Sequence, residues 1–405
     1  MSILNVTDRA FFDYSLVNVE KHSYLPYVSN SFNNNDEIRI PINQSDLFTH
    51  PSESFIYIEG KLLKADGTVS NTAKLVNNFF GHLFEEIRLE IGGKVVDRVK
   101  NPGTTTTIKG LVSFNKNELD RLKNAGWNIN DSDSLYEVHK NSGCFNVCVP
   151  LKTLFGFAED FKKIIINLRQ ELTLIRSNSD QNAIYNTLNT ETNKIVIDKI
   201  VWKMPHIVVS DEEKLKLFNL YETGKELEIG FRSWEMYEYP LLQKTQNHNW
   251  SVKSATQLEK PRYVIVAFQT DRKNDFYKNN GYFDHCNLKN IKLFLNSEIY
   301  PYDNLNLNFD KNQYALLYEM YSNFQQSYFE KENEPLLSPE QFLKIAPIAV
   351  IDCSRQNDVL NSGTVDIRLE WETSTDIPDK TSAYCIILHD RIIRYVPLTG
   401  IINSL

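Results

Sequence analysis

Five short stretches of this 405-residue chain carry residue types able to do chemistry. Cys144 with Cys148, and Cys385 with His389, have spacings near those of zinc ligands. Asp284, His285 and Cys286 set an acid, a base and a thiol side by side. Gly92-Gly93-Lys94 looks like a fragment of a phosphate-binding loop. Glu85 and Glu86 pair two carboxylates, the raw material of general acid and base work.

What these groups can do depends on the elements that hold them. Both zinc-like pairs fall in apolar, strand-like stretches. Residues i and i+4 of a strand share a face but stand roughly 13 Å apart at a rise of about 3.3 Å, too far to chelate one ion. Adjacent strand residues point to opposite faces, so Asp284, His285 and Cys286 do not converge either. These positions read as small core residues. Gly92-Gly93 lies in a tight hairpin, not between a strand and a helix, which removes the phosphate-loop reading. Glu85-Glu86 reads as a solvated strand edge. Gly-x-x-x-x-Gly-Lys-Ser/Thr, Gly-x-Gly-x-x-Gly, Gly-x-Ser-x-Gly and His-Glu-x-x-His do not occur. The sequence is therefore read as a non-enzyme with no cofactor and no metal.

The element that organises the chain is the hairpin at 84–97. Ile87, Leu89 and Ile91 alternate with Arg88 and Glu90, the period of a strand with one dry and one wet face. Gly92-Gly93 supplies the turn, and Lys94 to Asp97 begin the return strand. The pattern recurs without a gap 204 positions later (288 − 84): Leu288 matches Phe84, Ile291 matches Ile87, Leu293 matches Leu89, Leu295 matches Ile91, and Asn296-Ser297 replaces the glycine turn. Two weaker landmarks follow in the same order. Val149-Pro150-Leu151 before an alternating run at 164–168 matches Ala346-Pro347-Ile348 before one at 365–369. Each half then closes on an apolar strand pair, 195–202 and 384–393. This points to a tandem duplication of one β domain.

The totals agree with two domains, since one core stops growing near about 250–300 residues. A formal net charge of −8 argues against a chain that coats nucleic acid, and no sequence-specific nucleic-acid binding is expected. Five cysteines are too few, and odd in number, for a disulfide framework. The N-terminus lacks a basic start and an apolar h-region, so no signal peptide is read. No run approaches the ~18 apolar residues of a membrane span. The 23 Phe and 20 Tyr either fill β-sandwich cores or anchor subunit interfaces.

In chain order, residues 1–32 read as an N-terminal arm that orders by docking, with Phe11, Phe12 and Tyr14 among polar residues. Residues 33–209 form the first β domain. Strands are expected at 37–41, 54–63, 84–97, 104–107, 111–114, 145–149, 161–174 and 195–209, with a short helix at 117–123. Ser210 and Glu213 form a capping box that starts a connecting helix, and 210–226 is taken as the linker. Residues 227–405 form the second domain, with a long helix at 310–330, a capped helix from Ser338, and an apolar tail including Ile401 and Leu405. The expected fold class is all-β: two tandem eight-stranded sandwiches with short helices in loops, a double jelly roll.

Several stretches suggest a family. Residues 54–61, 75–78, 84–93 and 124–127, joined by 290–295 and 300–302, resemble the major capsid proteins of the Polinton/Maverick and adintovirus-like group, double jelly-roll proteins of the adenovirus-type lineage of double-stranded DNA viruses and elements. The resemblance spans about residues 25–402. It implies a viral structural protein that self-assembles into homotrimeric, pseudo-hexameric capsomers tiling an icosahedral shell. It implies penton and minor capsid proteins as partners, and a place in the virion capsid after synthesis and assembly in the cytoplasm or nucleus of a host cell. The residues expected at assembly interfaces are Phe11, Phe12, Tyr14, Ile401 and Leu405. The alternative is a tandem β-sandwich that binds glycans or a receptor, with Asn-rich loops such as 178–193 forming its cleft. An enzyme on the same scaffold is a third reading, since fold alone does not decide function.

Overall fold

The structure is a computed structural model that describes residues 15–27, 32–43, 48–130, 133–187, 191–255, 260–330, 332–355, 365–397 and 399–404. Sixteen of the 21 strands among the described residues fall into two sets of eight. The first set is Leu16–Tyr24, Glu37–Ile42, Phe55–Lys64, Phe84–Ile91, Lys94–Lys100, Cys144–Pro150, Gln170–Arg176 and Asn193–Val209. The second is Leu227–Tyr239, Asn247–Ala255, Pro261–Thr270, Leu288–Leu295, Glu298–Tyr300, Ala349–Asp352, Val365–Thr373 and Thr381–Val396. Numbered one to eight within each set, both form one sheet in the order 1-8-3-6 and a second in the order 2-7-4-5. All pairings are antiparallel. Two sheets face to face in this order make a jelly roll, and the same order twice is the physical form of the duplication.

The organising hairpins are the fourth and fifth strands of each roll. Ile87, Leu89 and Ile91 are buried, as are Ile291, Leu293 and Leu295. Gly92 and Gly93 both take positive φ, 58° and 78°, as a two-residue hairpin turn between twisted strands requires. Asn296 takes φ 53° in the second turn. Along strand eight, beyond the start of strand three, short strands extend each first sheet: Phe48–Thr49 with Ile165–Ile166 in the first roll, and Ile401–Ser404 in the second.

Several local expectations are corrected. Residues 104–107 and 111–114 are not strands: they lie on or beside the helix Pro102–Ser113. A run of threonines favours strands locally, but Pro102 presets the first helical turn, and the Thr105, Thr106 and Thr107 hydroxyls find partners in the helix and beside it. The Thr106 hydroxyl donates to the Pro102 carbonyl, while the Asn78 amide donates to Thr106 and Thr107 Oγ1 at 2.7 and 3.0 Å. The strand expected over 161–174 is split by Asn167 at φ 49°, so the counterpart of Val365–Thr373 is Gln170–Arg176 and not 164–168. The proline landmarks are not equivalent either: Pro150 ends the sixth strand of its roll, whereas Pro347 precedes the sixth strand of the other. Residues 195–202 and 384–393 each belong to one long strand, not a pair. The helix expected at 310–330 is broken into Ala315–Ser322 and Phe324–Phe329, and the one at 117–123 starts at Leu119, after a capping box of Asn115 with Glu118. Finally, part of the segment taken as an arm is a strand. Leu16–Tyr24 pairs along the eighth strand, from Leu16 opposite Val209 to Tyr24 opposite Trp202.

The two rolls are locked together because each contributes to the other's core. Ile108, Leu111 and Val112 of the helix Pro102–Ser113 pack in the second core, with Trp127. Ile229, Phe231, Ile393, Tyr395 and Ile402 of the second roll pack in the first. The Tyr321 hydroxyl donates to the Leu111 carbonyl at 2.8 Å, and the Tyr395 hydroxyl to the Ile166 carbonyl at 3.3 Å. The pair acts as one block, since separating the rolls would strip apolar surface from both cores.

Candidate assembly surface

The groups considered for chemistry do not converge. Among the described residues no cluster of three or more His, Cys, Asp or Glu could hold a metal ion. Cys144 and Cys148 lie along one strand, opposite Lys61 and Tyr57. Cys385 and His389 lie along another, and burial pushes the Cys385 thiol well above its ordinary range. Burial also raises the Cys286 thiol to about 12, which denies it the thiolate form a nucleophile needs. His285 stacks on Phe309 with ring centroids 4.3 Å apart, and its Nδ1 accepts the Asn287 amide. The solvated edge expected for Glu85-Glu86 is corrected: their strand is paired on both sides, and the Glu86 side chain, 13% exposed, pairs with Arg98 and Arg88.

The seam between the rolls is the most strongly built polar feature. Asp160, on the short helix Gly156–Asp160, takes Arg232 of the second roll through both carboxylate oxygens. Arg232 also donates to the Tyr328 carbonyl at 2.6 Å and lies 3.7 Å from that ring's centroid. Its backbone leaves no room opposite: a Cβ on Gly156 would sit 1.8 Å from the Arg232 carbonyl oxygen. Nearby, the Lys109 ammonium meets Glu159 at 3.0 Å and the Lys152 carbonyl at 3.0 Å. Burial pushes the Glu159 carboxyl up, and Lys109 pulls it part of the way back. These are the contacts of a permanent joint, not of a reaction centre.

The outward surfaces are of another kind. Leu16, Val17 and Val19 on the first strand are exposed, and so are Val208 on its partner strand and Leu215 and Phe218 on the connecting helix Asp211–Glu222. The Ser210 amide donates to the Ser15 carbonyl at 2.9 Å, which brings the start of the strand to the start of that helix. A strand at a sheet edge with unpaired backbone groups and bare aliphatic side chains is a template for another chain. Of the residues expected at interfaces, Ile401 is 52% exposed on the strand Ile401–Ser404, opposite Val396. Phe11, Phe12, Tyr14 and Leu405 lie outside the described residues. Sequence reading did not single out Leu16, Val17, Val19, Leu215 or Phe218. The signal available was Leu-Val-x-Val beside the aromatics, and Leu215 and Phe218 at i, i+3 behind a capping box.

A family model described as a double jelly roll-like domain matches residues 73–393. The chain belongs to the double jelly roll-like family. No curated protein matches. Among solved structures, this double jelly roll is similar to a chain of the Sputnik virophage, with TM-score 0.65 and 10% identity over 100% of this chain and 91% of that one. It is similar to the Faustovirus major capsid protein, with TM-score 0.61 and 10% identity over 98% and 92%. It is similar to the mavirus major capsid protein, with TM-score 0.58 and 9% identity over 100% and 93%. At these identities the likeness is one of fold. Among the described residues no helix is long and apolar enough to cross a membrane.

Proposed function

We propose that this double jelly roll is a major capsid protein whose function is self-assembly, three copies forming a capsomer of six rolls with a nearly hexagonal outline that tiles an icosahedral shell. One observation carries the reading: two rolls of identical strand order are fused side by side by interlocked cores, while outward edges stay bare and apolar. Three such blocks around an axis present six similar faces, which a closed ring of identical subunits can use. The fold neighbours named as major capsid proteins support it. On this reading Phe11, Phe12, Tyr14, Ile401 and Leu405 serve contacts between subunits or with penton and minor capsid proteins, and the protein resides in the virion capsid of a virus assembled inside its host cell.

The glycan-binding alternative would use the cleft of about 250 Å³ at the seam, lined by Asn101, Asn178, Asn182, Asn274 and Asn280. There Asn182 Oδ1 already accepts the Asn274 backbone amide at 2.7 Å and the Asn280 side-chain amide at 3.3 Å. Amides bonded to one another favour a seam over a sugar site.

The test is the solution mass of the purified protein with negative-stain images of the same fraction. A mass of three chains and hexagonal particles is expected. A monomer at every concentration and salt overturns the reading. Removal of residues 1–14, which spares the strand Leu16–Tyr24, is expected to leave trimers and impair shells.

A further inference from the structure

Strands two, seven and four lie side by side in both rolls, so the duplication lets their outer faces be compared row by row. In the second roll Glu370 of strand seven lies opposite Asn249 of strand two and Lys292 of strand four. Two residues further on, Glu372 lies opposite Asn247 and Asn290. Side chains alternate along a strand, so these six share the outer face, while Trp371 between the rows is buried in the core. By strand spacing and rise, the six cover roughly 7 by 10 Å. In the first roll, the match of Leu89 to Leu293 puts Arg88 at the place of Lys292 and Glu86 at that of Asn290. The same rows read Arg39, Thr173, Arg88 and Glu37, Ile175, Glu86.

The first of these faces is closed and the second is open. In the first roll the middle of the face is a hydroxyl and an aliphatic side chain, and ion pairs lie over it. Arg88 meets Glu37 at 3.4 Å and Glu86 at 3.3 Å, and Arg39 meets Glu37 at 2.7 Å, which leaves Thr173 1% exposed. In the second roll the middle is two carboxylates. Glu372 is satisfied, by Lys289 at 2.8 Å and Asn290 at 3.1 Å. Glu370 is not: its Oε1 has only the Asn249 amide at 3.3 Å and Arg368 at 3.4 Å, and its Oε2 has no hydrogen-bond partner among the described residues. The Lys292 ammonium makes one long bond, to the Tyr302 carbonyl at 3.4 Å. With Asn304 from the loop after strand five, these rows line a cleft of about 380 Å³. The side-chain amides of Asn247 and Asn304 have no hydrogen-bond partner among the described residues.

The open groups select an occupant. A carboxylate only accepts, an ammonium only donates, and a carboxamide does both. A ligand that meets all three within a few ångströms needs groups that donate and accept side by side, as the neighbouring hydroxyls of a sugar ring do. Cations and carboxylates alternate across the face, so it offers no strong field of one sign to an ion. The volume lies in the range of small-ligand sites. We infer that this cleft on the second roll binds a neutral saccharide, whose hydroxyls donate to Glu370, accept from Lys292 and bond the amides of Asn247 and Asn304. The seam cleft differs in that its amides already bond one another. The site lies within one chain, so the inference goes beyond the capsid reading and does not depend on the trimer.

The experiment screens the purified full-length protein against immobilised neutral and acidic oligosaccharides, and against millimolar methyl hexosides by saturation-transfer NMR. The wild type is expected to bind at least one neutral saccharide. Lys292→Ala and Asn304→Ala are each expected to weaken that binding by about tenfold or more, with native circular dichroism. Glu37→Ala, at the place in the first roll that matches Asn247, is expected to bind as the wild type does. No binding, binding of acidic saccharides alone, or undiminished binding by both cleft variants overturns the inference and leaves the capsid reading standing, which the solution mass tests separately. Should a cleft variant fail to fold, the side-chain amide resonances of Asn247 and Asn304 decide in the wild type. Shifts on titration with the bound saccharide support the site, and unmoved resonances overturn it.

Discussion

The first strands of the two rolls hold the same place in the same topology and meet opposite surroundings. Leu227–Tyr239 runs along the seam with Ile229, Phe231 and Trp234 buried. Leu16–Tyr24 runs along an outer edge with almost every residue exposed. The difference shows that burial in a duplicated protein is set by what packs against a strand and not by its position in the fold. Among the described residues, the first roll covers Ile229 and Phe231 on the first strand of the second roll, whereas Leu16, Val17 and Val19 on its own first strand stay exposed.

The largest effects are expected where that shielding is tightest. A methyl group at 156 has no space beside the Arg232 carbonyl. Gly156→Ala is expected to force the rolls apart and cost at least about 3 kcal/mol, measured by denaturant unfolding. Arg232→Met removes the partner of Asp160, a carboxylate 15% exposed, and is expected to cost about 3 kcal/mol by leaving that charge unpaired. Both should loosen the second roll's first strand in hydrogen exchange and leave Leu16–Tyr24 unchanged. Equal loosening of the two strands would contradict the contrast.

A smaller and reversible effect separates the same two strands by pH. His206 of the eighth strand is 3% exposed and lies opposite Glu20 of the edge strand. Its Nε2 is hydrogen-bonded to the Tyr24 hydroxyl at 2.8 Å, and its Nδ1 has no hydrogen-bond partner among the described residues. Burial lowers its pKa to about 4, the His22 ring 4.2 Å away adds to this, and Glu20 opposes it. Thr49 is its other cross-strand neighbour, and His50 follows. A folded-state value below the ordinary 6.5 means that the neutral form is favoured when the strand is docked. Stability from this group is whole above pH 6.5 and is lost as pH falls toward 4. From pH 7.5 to 5.0 the docked edge strand is expected to lose about 2 kcal/mol, read as faster exchange of residues 16–24 after correction for intrinsic rates. Lys203 and His389 each lie opposite the first residue of strand three, so the matching position of the second roll is Ile392, which does not titrate, and Leu227–Tyr239 should show no such step. His206→Gln should flatten the profile of the first strand.

The sequence revealed what its own alternation encodes. Hairpins with one dry face were legible because Ile87, Leu89 and Ile91 obey a period of two, and their recurrence exposed the duplication. The strand Leu16–Tyr24 was not legible, because a strand exposed on both faces has no alternation to write, and it passed for an arm. The helix Pro102–Ser113 was hidden for the opposite reason. It is buried almost all round between two cores, so it carries no amphipathic stripe, and its threonines argue for a strand. The proline landmarks failed because a proline is compatible with the end of one strand and the approach to another. Of the interface residues expected, Ile401 was placed by a bare apolar tail. The bare face of Val17 and Val19 emerges only when strand one is paired with strand eight.

The smallest expected difference lies in the two turns that first revealed the repeat. Gly93 sits at φ 78° with nothing within 4 Å of an added Cβ, so Gly93→Ala meets only backbone strain and is expected to cost about 1 kcal/mol. Gly92 at φ 58° is more confined: a Cβ there would lie 3.1 Å from the Gly400 carbonyl oxygen and 3.1 Å from an Ile402 methyl. The C-terminal strand of the second roll therefore rests on the first roll's turn, and Gly92→Ala should cost more than Gly93→Ala and loosen residues 401–404. In the second roll Asn296 already holds φ 53° with a side chain, its amide donating to the Asp366 carbonyl and its Oδ1 accepting the Asp366 amide. Asn296→Ala should lose that local bond as well as the residue's tolerance of positive φ, again about 1 kcal/mol, while leaving the seam unmoved. If Gly92→Ala and Gly93→Ala unfold with equal midpoints, the C-terminal strand does not bear on the turn, and the two hairpins are equivalent in energy as well as in sequence.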